Sequence, residues 1–310
     1  MLELARLTKR YKQLYAVKGL NMFIEKGEIV GLLGPNGAGK STAISMLSSL
    51  IEPTEGDVRF HGKSILKSPG ELRKVTGIVP QEIALYPELS AEENLQFFGR
   101  IYQLKGKQLK QRIEEVLELI GLQEKRKEVV KKFSGGMKRR LNIGVALLHQ
   151  PSLLIMDEPT VGIDPQSRSY ILETVKRLNE EKGMTVLYTS HYMEEVEFLC
   201  DRIYIMDKGN LIAAGTKEEI KQILTSETTV LIKVEQLNEK FVQRLQAEPS
   251  IHQVSTGENE VTVIVPKEIP VFKLILNIAE HTDIELLSIE MKATTLEDVF
   301  LHLTGRALRD

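Results

Sequence analysis

The spacing of apolar residues along the chain predicts two kinds of strand and one helical block. Near the start, polar residues separate the apolar residues of a half-buried strand, Leu2, Leu4 and Leu7. Continuous apolar runs predict strands that are buried on both faces, as in a parallel sheet, at 28–33, 153–156 and 185–189. Helical segments follow these runs. We therefore predict an α/β domain with an antiparallel β subdomain at its start.

Residues from about 90 to 122 interrupt this alternation of strands and helices. Apolar side chains recur there at helical spacing, with Leu95 and Phe98 on one predicted face and Ile113 and Val116 on another. We interpret this block as part of a helical subdomain inserted into the α/β domain at about residues 84–150.

The pattern changes again near residue 225. The order of predicted elements becomes strand, helix, two strands, helix, strand, at 229–234, 238–247, 251–255, 260–265, 271–280 and 284–289. This βαββαβ order is typical of a small ferredoxin-like α/β unit. We therefore predict two domains, residues 1–224 and 225–310. A final helix begins at a capping box of Thr294 and Glu297, and its apolar face either packs on the small domain or meets a partner.

Composition excludes several classes of protein. The net charge of −2 over 310 residues gives no general attraction to nucleic acid. No apolar run approaches the roughly 18–20 residues that cross a bilayer, and the first residues do not resemble a secretory signal. The single cysteine, Cys200, excludes an internal disulfide and is interpreted as a small buried side chain. We expect a protein of the cytoplasm.

A glycine-rich run lies between the apolar stretch 28–33 and a helical segment at 41–50. A strand, a turn of this composition and then Gly-Lys-Ser are typical of the phosphate-binding loop of nucleoside triphosphatases. Glycine lets the backbone approach phosphate closely, and the free amides and helix dipole attract the anion. In this pattern the lysine ammonium binds the outer phosphates, and the serine hydroxyl binds Mg²⁺. The predicted nucleotide-binding residues of the loop are Gly34, Pro35, Asn36, Gly37, Ala38, Gly39, Lys40, Ser41 and Thr42.

A second helix start has the features of an anion site. Ser134 is a favourable N-cap residue, and Gly135 and Gly136 follow it in the first turn. Each glycine costs a helix about 1 kcal/mol. Two glycines here indicate that another group approaches the backbone closely, and a flexible joint is the alternative.

Acidic and histidine side chains follow two of the buried strands. Asp157 and Glu158 come directly after the run 153–156, and His191 follows the run 185–189 by two residues. Ligands of open α/β sheets bind at the carboxyl ends of the strands. Asp157 suits the Mg²⁺ shell and Glu158 suits an attacking water. His191 is predicted to be functional, with a structural histidine as the alternative.

These motifs, in this order, resemble the ATP-binding-cassette (ABC) family over about residues 1–224. The resemblance implies a P-loop nucleoside triphosphatase fold of the ABC type and assigns a role to each matching position. Tyr11 resembles the aromatic residue that stacks on adenine, although edge-strand packing explains a tyrosine there equally well. Gln81 resembles the glutamine that contacts Mg²⁺ and senses the membrane partner. Asp164 resembles the D-loop aspartate, and His191 the switch histidine.

Residues 133–137 resemble the signature motif of the family, usually written LSGGQ. Phe133 stands in place of the usual Leu and Met137 in place of Gln, while Ser134, Gly135 and Gly136 match. The resemblance implies that two copies pair head-to-tail, with each signature helix closing on the γ-phosphate held by the other copy. It also implies ATP and Mg²⁺ as ligands, a separate membrane permease as partner and a position at the cytoplasmic side of the membrane.

The segment 296–306, Leu-Glu-Asp-Val-Phe-Leu-His-Leu-Thr-Gly-Arg, resembles the C-terminus of drug-resistance exporters similar to the daunorubicin-resistance ATPases. This narrower resemblance implies export of a drug, lipid or antibiotic-like molecule, driven by ATP hydrolysis. The alternatives are the ATPase of an importer and a soluble ABC protein that acts on ribosomes or nucleic acid.

Overall fold

The computed structural model describes residues 1–223, 227–292 and 295–304. The chain divides into two compact units. The first comprises Met1–Lys217 and the second begins at Glu218. The boundary predicted between residues 224 and 225 falls on residues outside the described chain.

The helices and strands of the first unit follow the predicted order. They are β1 (Leu2–Tyr11), β2 (Leu14–Ile24), β3 (Ile29–Leu33), α1 (Lys40–Leu47), β4 (Glu55–Phe60), β5 (Lys63–Ser64), α2 (Gly70–Val75), β6 (Thr76–Val79), α3 (Ala91–Ile101), α4 (Gly106–Leu119), α5 (Gly135–Leu147), β7 (Leu153–Met156), α6 (Pro165–Lys182), β8 (Thr185–Ser190), α7 (Met193–Leu199), β9 (Arg202–Asp207) and β10 (Asn210–Thr216). A short helix, α8 (Lys217–Gln222), begins at the boundary. The sequence pattern did not predict β5, α2 or α7.

Two sheets and a helix share one core in this unit. An antiparallel sheet has the strand order β2-β1-β4-β5, and a six-stranded sheet has the order β10-β9-β3-β8-β7-β6. In the six-stranded sheet, strands β9, β3, β8, β7 and β6 run parallel and β10 pairs antiparallel at the edge. Apolar side chains of both sheets and of α1 form a single buried cluster. Cys200 is fully buried, as predicted.

The helical subdomain has a separate core. Side chains of α3, α4 and α5 form a second buried cluster that includes Leu95, Ile113, Val116 and Leu141. Helix α3 begins at a capping box in which the Ser90 hydroxyl accepts from the Glu93 amide and the Glu93 carboxylate accepts from the Ser90 amide. The helical block predicted from the apolar spacing is therefore confirmed as helices α3 and α4.

The second unit contains β11 (Glu227–Val234), α9 (Glu239–Ala247), β12 (Gln253–Thr256), β13 (Glu260–Pro266), α10 (Val271–Thr282), β14 (Leu286–Lys292) and α11 (Leu296–Thr304). Its antiparallel sheet has the order β12-β13-β11-β14, so the first and third of its four strands lie at the centre. Apolar residues of the sheet, α9 and α10 form its core. The predicted βαββαβ order is confirmed.

Helix α11 settles the alternative left open for its apolar face. Leu296, Val299 and Phe300 are buried within the chain, so these three side chains serve packing and not a partner. The capping box is formed by Thr295 and Asp298, whose backbone and side-chain groups bond reciprocally at 2.8 and 3.2 Å. Thr294, predicted for this role, lies outside the described residues.

Candidate functional site

The glycine-rich loop connects the buried strand β3 to helix α1. Gly37 and Gly39 have φ values of +79° and +106°, a region that favours glycine. A Cβ on Gly39 would collide with the backbone carbonyl of Ala16, and one on Gly34 with that of Met206. Backbone conformation therefore favours glycine at position 37, and both conformation and packing require it at position 39.

The loop lines a cavity of about 460 Å³. Besides the loop, four groups of residues contribute: the start of β2, the glutamine after β6, the acid after β7 and the lysine after β9. The lining residues are Leu14, Tyr15, Ala16, Asn36, Gly37, Ala38, Gly39, Lys40, Ser41, Thr42, Gln81, Glu158 and Lys208. Gly34 and Pro35 lie at the base of the loop, where their carbonyls accept from Lys40.

Lys40 and Glu158 form a buried ion pair at the centre of this cavity. Lys40 is 5% exposed and Glu158 is 6% exposed, and Lys40 Nζ lies 3.1 Å from Glu158 Oε1. The ammonium also donates to the carbonyls of Gly34 at 2.7 Å and Pro35 at 3.3 Å. A buried charge of either sign is costly without a partner, so the loop, its lysine and the acid depend on one another.

Glu158 is held in an unusual backbone conformation. Its φ is +46°, a strained value for a residue with a side chain. Its amide donates to Thr189 Oγ1 at 2.9 Å. Gln81 Nε2 and His191 Nδ1 lie 3.5 and 3.4 Å from Glu158 Oε2. The structure thus brings Gln81, Glu158, His191 and Lys40 together around one carboxylate.

Thr189 was missed by the sequence reasoning. Its hydroxyl donates to Asp157 Oδ1 at 2.8 Å while accepting from the Glu158 amide. Tyr188 pairs with Met156, the last residue of β7. The next residue, Thr189, therefore lies beside the two acids that follow β7. Asp157 is also fixed by its own amide, which donates to the carbonyl of Val79 at 2.9 Å. No local sequence signal marks this role, because it depends on the pairing of β7 with β8.

The helix start at Ser134 is separate from this cavity. The hydroxyl of Ser134 accepts from the Met137 amide at 3.2 Å and caps α5. Ser134 and Gly135 are exposed, and Gly136 is buried. A Cβ on Gly136 would collide with the hydroxyl of Ser167. None of these three residues lines the cavity around the phosphate loop.

Packing explains the two unusual residues beside this helix start. Phe133 is buried in the core of the helical subdomain, and Met137 packs against the same cluster. Both apolar side chains therefore contribute to the subdomain core. Ser134 and Gly135 remain exposed.

Asp164 caps helix α6. Its carboxylate accepts from the Ser167 amide at 2.8 Å, with Pro165 as the first helical residue. Hydrogen bonding by Ser167 lowers the pKa of Asp164. The residue is exposed, and its carboxylate lies next to Gly136.

Tyr11 does not line the cavity, whereas Tyr15 does. Tyr11 is 49% exposed and pairs across the sheet with the cavity residue Leu14, so it lies beside the cavity. The Tyr11 ring has one cation near it, Lys9 at 5.4 Å, while Tyr15 has two, Arg10 at 5.8 Å and Lys18 at 5.7 Å. Tyr15 and Lys208 were not predicted from the sequence.

A glycine loop between a parallel strand and a helix, a buried lysine, and acids at the end of a nearby strand define the class of protein. The arrangement is that of a P-loop nucleoside triphosphatase. Within the described residues, no helix is long and apolar enough to cross a membrane.

Comparisons with known proteins narrow the class. A family model described as "ABC transporter" matches residues 17–161. The linearmycin resistance ATP-binding protein LnrL of Bacillus subtilis is 50% identical to this chain. The match covers 100% of this chain and 100% of LnrL. The daunorubicin resistance ATP-binding protein DrrA3 of Streptomyces coeruleorubidus is 33% identical, over 96% of this chain and 93% of its own.

Solved structures agree with this result. A dimeric post-hydrolysis state of the ATP-binding cassette MJ0796, bound to ADP and Pi, has a TM-score of 0.64 and 30% identity, covering 70% of this chain and 98% of that chain. The chain belongs to the ABC transporter family. It binds and hydrolyses ATP, and the predicted fold class is confirmed.

The resemblance of Tyr11 to the residue that stacks on adenine gives a prediction, for which Tyr15, in the cavity lining, is the alternative. We expect Tyr11→Ala to weaken ATP binding about tenfold, because stacking of a base on an aromatic ring contributes about 1–3 kcal/mol. Tyr11→Phe keeps the ring and is expected to bind ATP normally. Equilibrium titration with ATP and with inorganic triphosphate measures the change in affinity. We expect weaker binding of ATP alone, because triphosphate has no base. A loss that instead follows Tyr15→Ala would assign the base to Tyr15.

Proposed function

We propose that the chain is the ATP-hydrolysing subunit of a multi-subunit exporter. It works as a head-to-tail dimer and drives a separate membrane permease that moves a drug, lipid or antibiotic-like molecule. The observation that carries the proposal is the separation, within one chain, of the phosphate loop from the exposed helix start at Ser134 and Gly135. The names of the full-length relatives, which describe linearmycin and daunorubicin resistance, support the exporter branch.

The loop site is assigned to binding and to the chemistry. The amides of residues 36–42 and the ammonium of Lys40 hold the phosphates. Glu158 polarises the attacking water, and His191, 3.4 Å from its carboxylate, contacts the γ-phosphate. ATP supplies a second anion for Lys40, which leaves the Glu158 carboxylate to the water.

The oxygen-bearing side chains near the loop fit Mg²⁺. Ser41, Gln81 and Asp157 offer a hydroxyl, an amide oxygen and a carboxylate, the hard donors that Mg²⁺ prefers. The described residues contain no group of three His, Cys, Asp or Glu side chains suited to a metal. A hydroxyl, an amide oxygen and one carboxylate match an ion that is held partly by substrate phosphates. When bound, Mg²⁺ neutralises charge on the transferred phosphoryl group.

The second copy completes the site. The unpaired amides at the start of α5 and the Ser134 hydroxyl form an anion site on the surface of one chain. In the head-to-tail dimer this surface covers the γ-phosphate held by the other chain. Asp164, beside Gly136, lies at the same interface.

One prediction of this proposal concerns the water-polarising acid. Glu158→Gln is expected to bind ATP with nearly normal affinity and to hydrolyse it roughly 100-fold or more slowly, as loss of a general base does. The ATP that is not hydrolysed then holds two chains together as a dimer. ATP binding by titration, phosphate release and light scattering with ATP measure the three effects.

Glu180→Gln, an exposed acid on α6, is the matched control and is expected to behave like the wild type. Near-normal phosphate release by Glu158→Gln would refute the role given to Glu158.

An exposed aromatic patch is the proposed docking surface for the permease. The patch consists of the exposed rings of Tyr86 and Phe97, with centroids 4.7 Å apart, and the partly buried ring of Phe98, 5.2 Å from that of Phe97. Phe97 is 39% exposed. The patch begins five residues after Gln81, so the same loop connects it to the ATP site. Exposed aromatic rings are typical anchors of protein interfaces.

This surface gives the second prediction. Phe97→Ser is expected to reduce the membrane-bound fraction of the chain in its native cells about fivefold, equivalent to about 1 kcal/mol, because it removes the anchor without changing the ATP site. Fractionation and immunoblotting measure it, with Phe198→Ser on α7, also partly exposed, as control. Equal losses in both variants, or recovery of the wild-type chain with ribosomes, would contradict a permease partner.

A further inference from the structure

Glu195 is a buried carboxylate to which no role has yet been given. It lies in the first turn of α7 and is 1% exposed. Three hydroxyls lie within hydrogen-bond distance of its Oε2 atom and donate to it, those of Thr160 at 2.8 Å, Tyr188 at 2.9 Å and Ser190 at 2.8 Å. Burial raises the pKa of Tyr188, so its phenol is a neutral donor. A carboxylate that accepts so many bonds is strongly fixed in position.

The other oxygen of Glu195 faces an arginine. Arg168 Nε lies 3.3 Å from Glu195 Oε1. The guanidinium group lies over the ring of Tyr192 at 4.2 Å, and this ring packs against that of His191 with centroids 4.2 Å apart. The Tyr192 amide donates to the Ser190 hydroxyl at 2.9 Å. Glu195 is thus linked to His191 indirectly in two ways. One link is Ser190, and the other is the stack of Arg168 on Tyr192.

These partners come from the three segments that carry the proposed chemistry. Thr160 follows Glu158 by two residues, and Ser190 directly precedes His191. Arg168 lies in the first turn of α6, the helix that Asp164 caps and against whose Ser167 Gly136 packs. Glu195 itself does not line the ATP cavity. It is therefore placed to orient other groups and not to touch the nucleotide.

We propose that Glu195 is a positioning residue, which holds His191, the loop after Glu158 and the start of α6 in fixed relation through Arg168, Tyr192 and the three hydroxyls. The proposal rests on the roles assigned to Glu158 and His191. Through this cluster, displacement of His191 by the γ-phosphate reaches the helix start that carries Asp164 and adjoins Gly136.

Glu195→Gln keeps the shape of the side chain and removes its charge. With the full chain, we expect kcat for ATP hydrolysis to fall about tenfold, or about 1.4 kcal/mol, while KM for ATP stays within about twofold, because no cavity residue is altered. Arg168→Met is expected to give the same separation of kcat from KM. Glu173→Gln and Arg177→Met, which change exposed residues of α6, are the matched controls and are expected to retain wild-type kcat.

A double-mutant cycle with His191→Ala distinguishes positioning from general damage. If Glu195 acts through His191, Glu195→Gln has little further effect on kcat in the His191→Ala background. Reductions that multiply, or a normal kcat in both Glu195→Gln and Arg168→Met, would overturn the proposal. If Glu195→Gln melts at a lower temperature, Arg168→Met with its own His191→Ala cycle decides.

These assays distinguish a failure of the proposed function from a failure of the role given to Glu195. Wild-type turnover by Glu158→Gln would remove the catalytic assignment on which the proposal rests. A slow Glu158→Gln variant together with a fast Glu195→Gln variant would remove only the role of Glu195.

Discussion

Strands β6, β7, β8 and β3 are parallel neighbours in one sheet, so their carboxyl ends lie along a single edge. The ATP site depends on this constraint. Gln81 follows β6, the acids Asp157 and Glu158 follow β7, His191 follows β8, and the phosphate loop follows β3. Segments far apart in the sequence therefore meet at one edge, where ligands of open α/β sheets bind.

The buried pair of Lys40 and Glu158 joins the two sides of this edge. Each side chain is nearly inaccessible to solvent, and each compensates the charge of the other. The carbonyls of the loop share the ammonium, and Gln81 and His191 lie near the carboxylate. A phosphate that enters the loop joins an existing set of charges. Glu195, which faces Arg168 of α6 at 3.3 Å, connects the segments around this set of charges to the start of α6.

Much of this arrangement could be predicted from the sequence, because it is encoded locally. The loop 34–42, the acids after β7 and the Ser-Gly-Gly helix start are each contained in a few consecutive residues. Thr189 and Glu195 could not be found in this way, since their roles depend on which strands pair and in which register. Tyr15 reaches the cavity through the pairing of β1 with β2, and α2 is too short to show a helical period.

The central claim is that one chain supplies the phosphate loop and a second chain supplies the helix start at Ser134. Lys40→Met and Ser134→Arg each damage one half of every site in their own dimers, so each variant alone is expected to be inactive. Mixed dimers contain one site with both changes and one intact site. Phosphate release by a 1:1 mixture of the two variants tests the claim most directly. We expect recovery of roughly a quarter of wild-type turnover, since half of the dimers are mixed and each has one intact site of two. A mixture as inactive as its two components would contradict it.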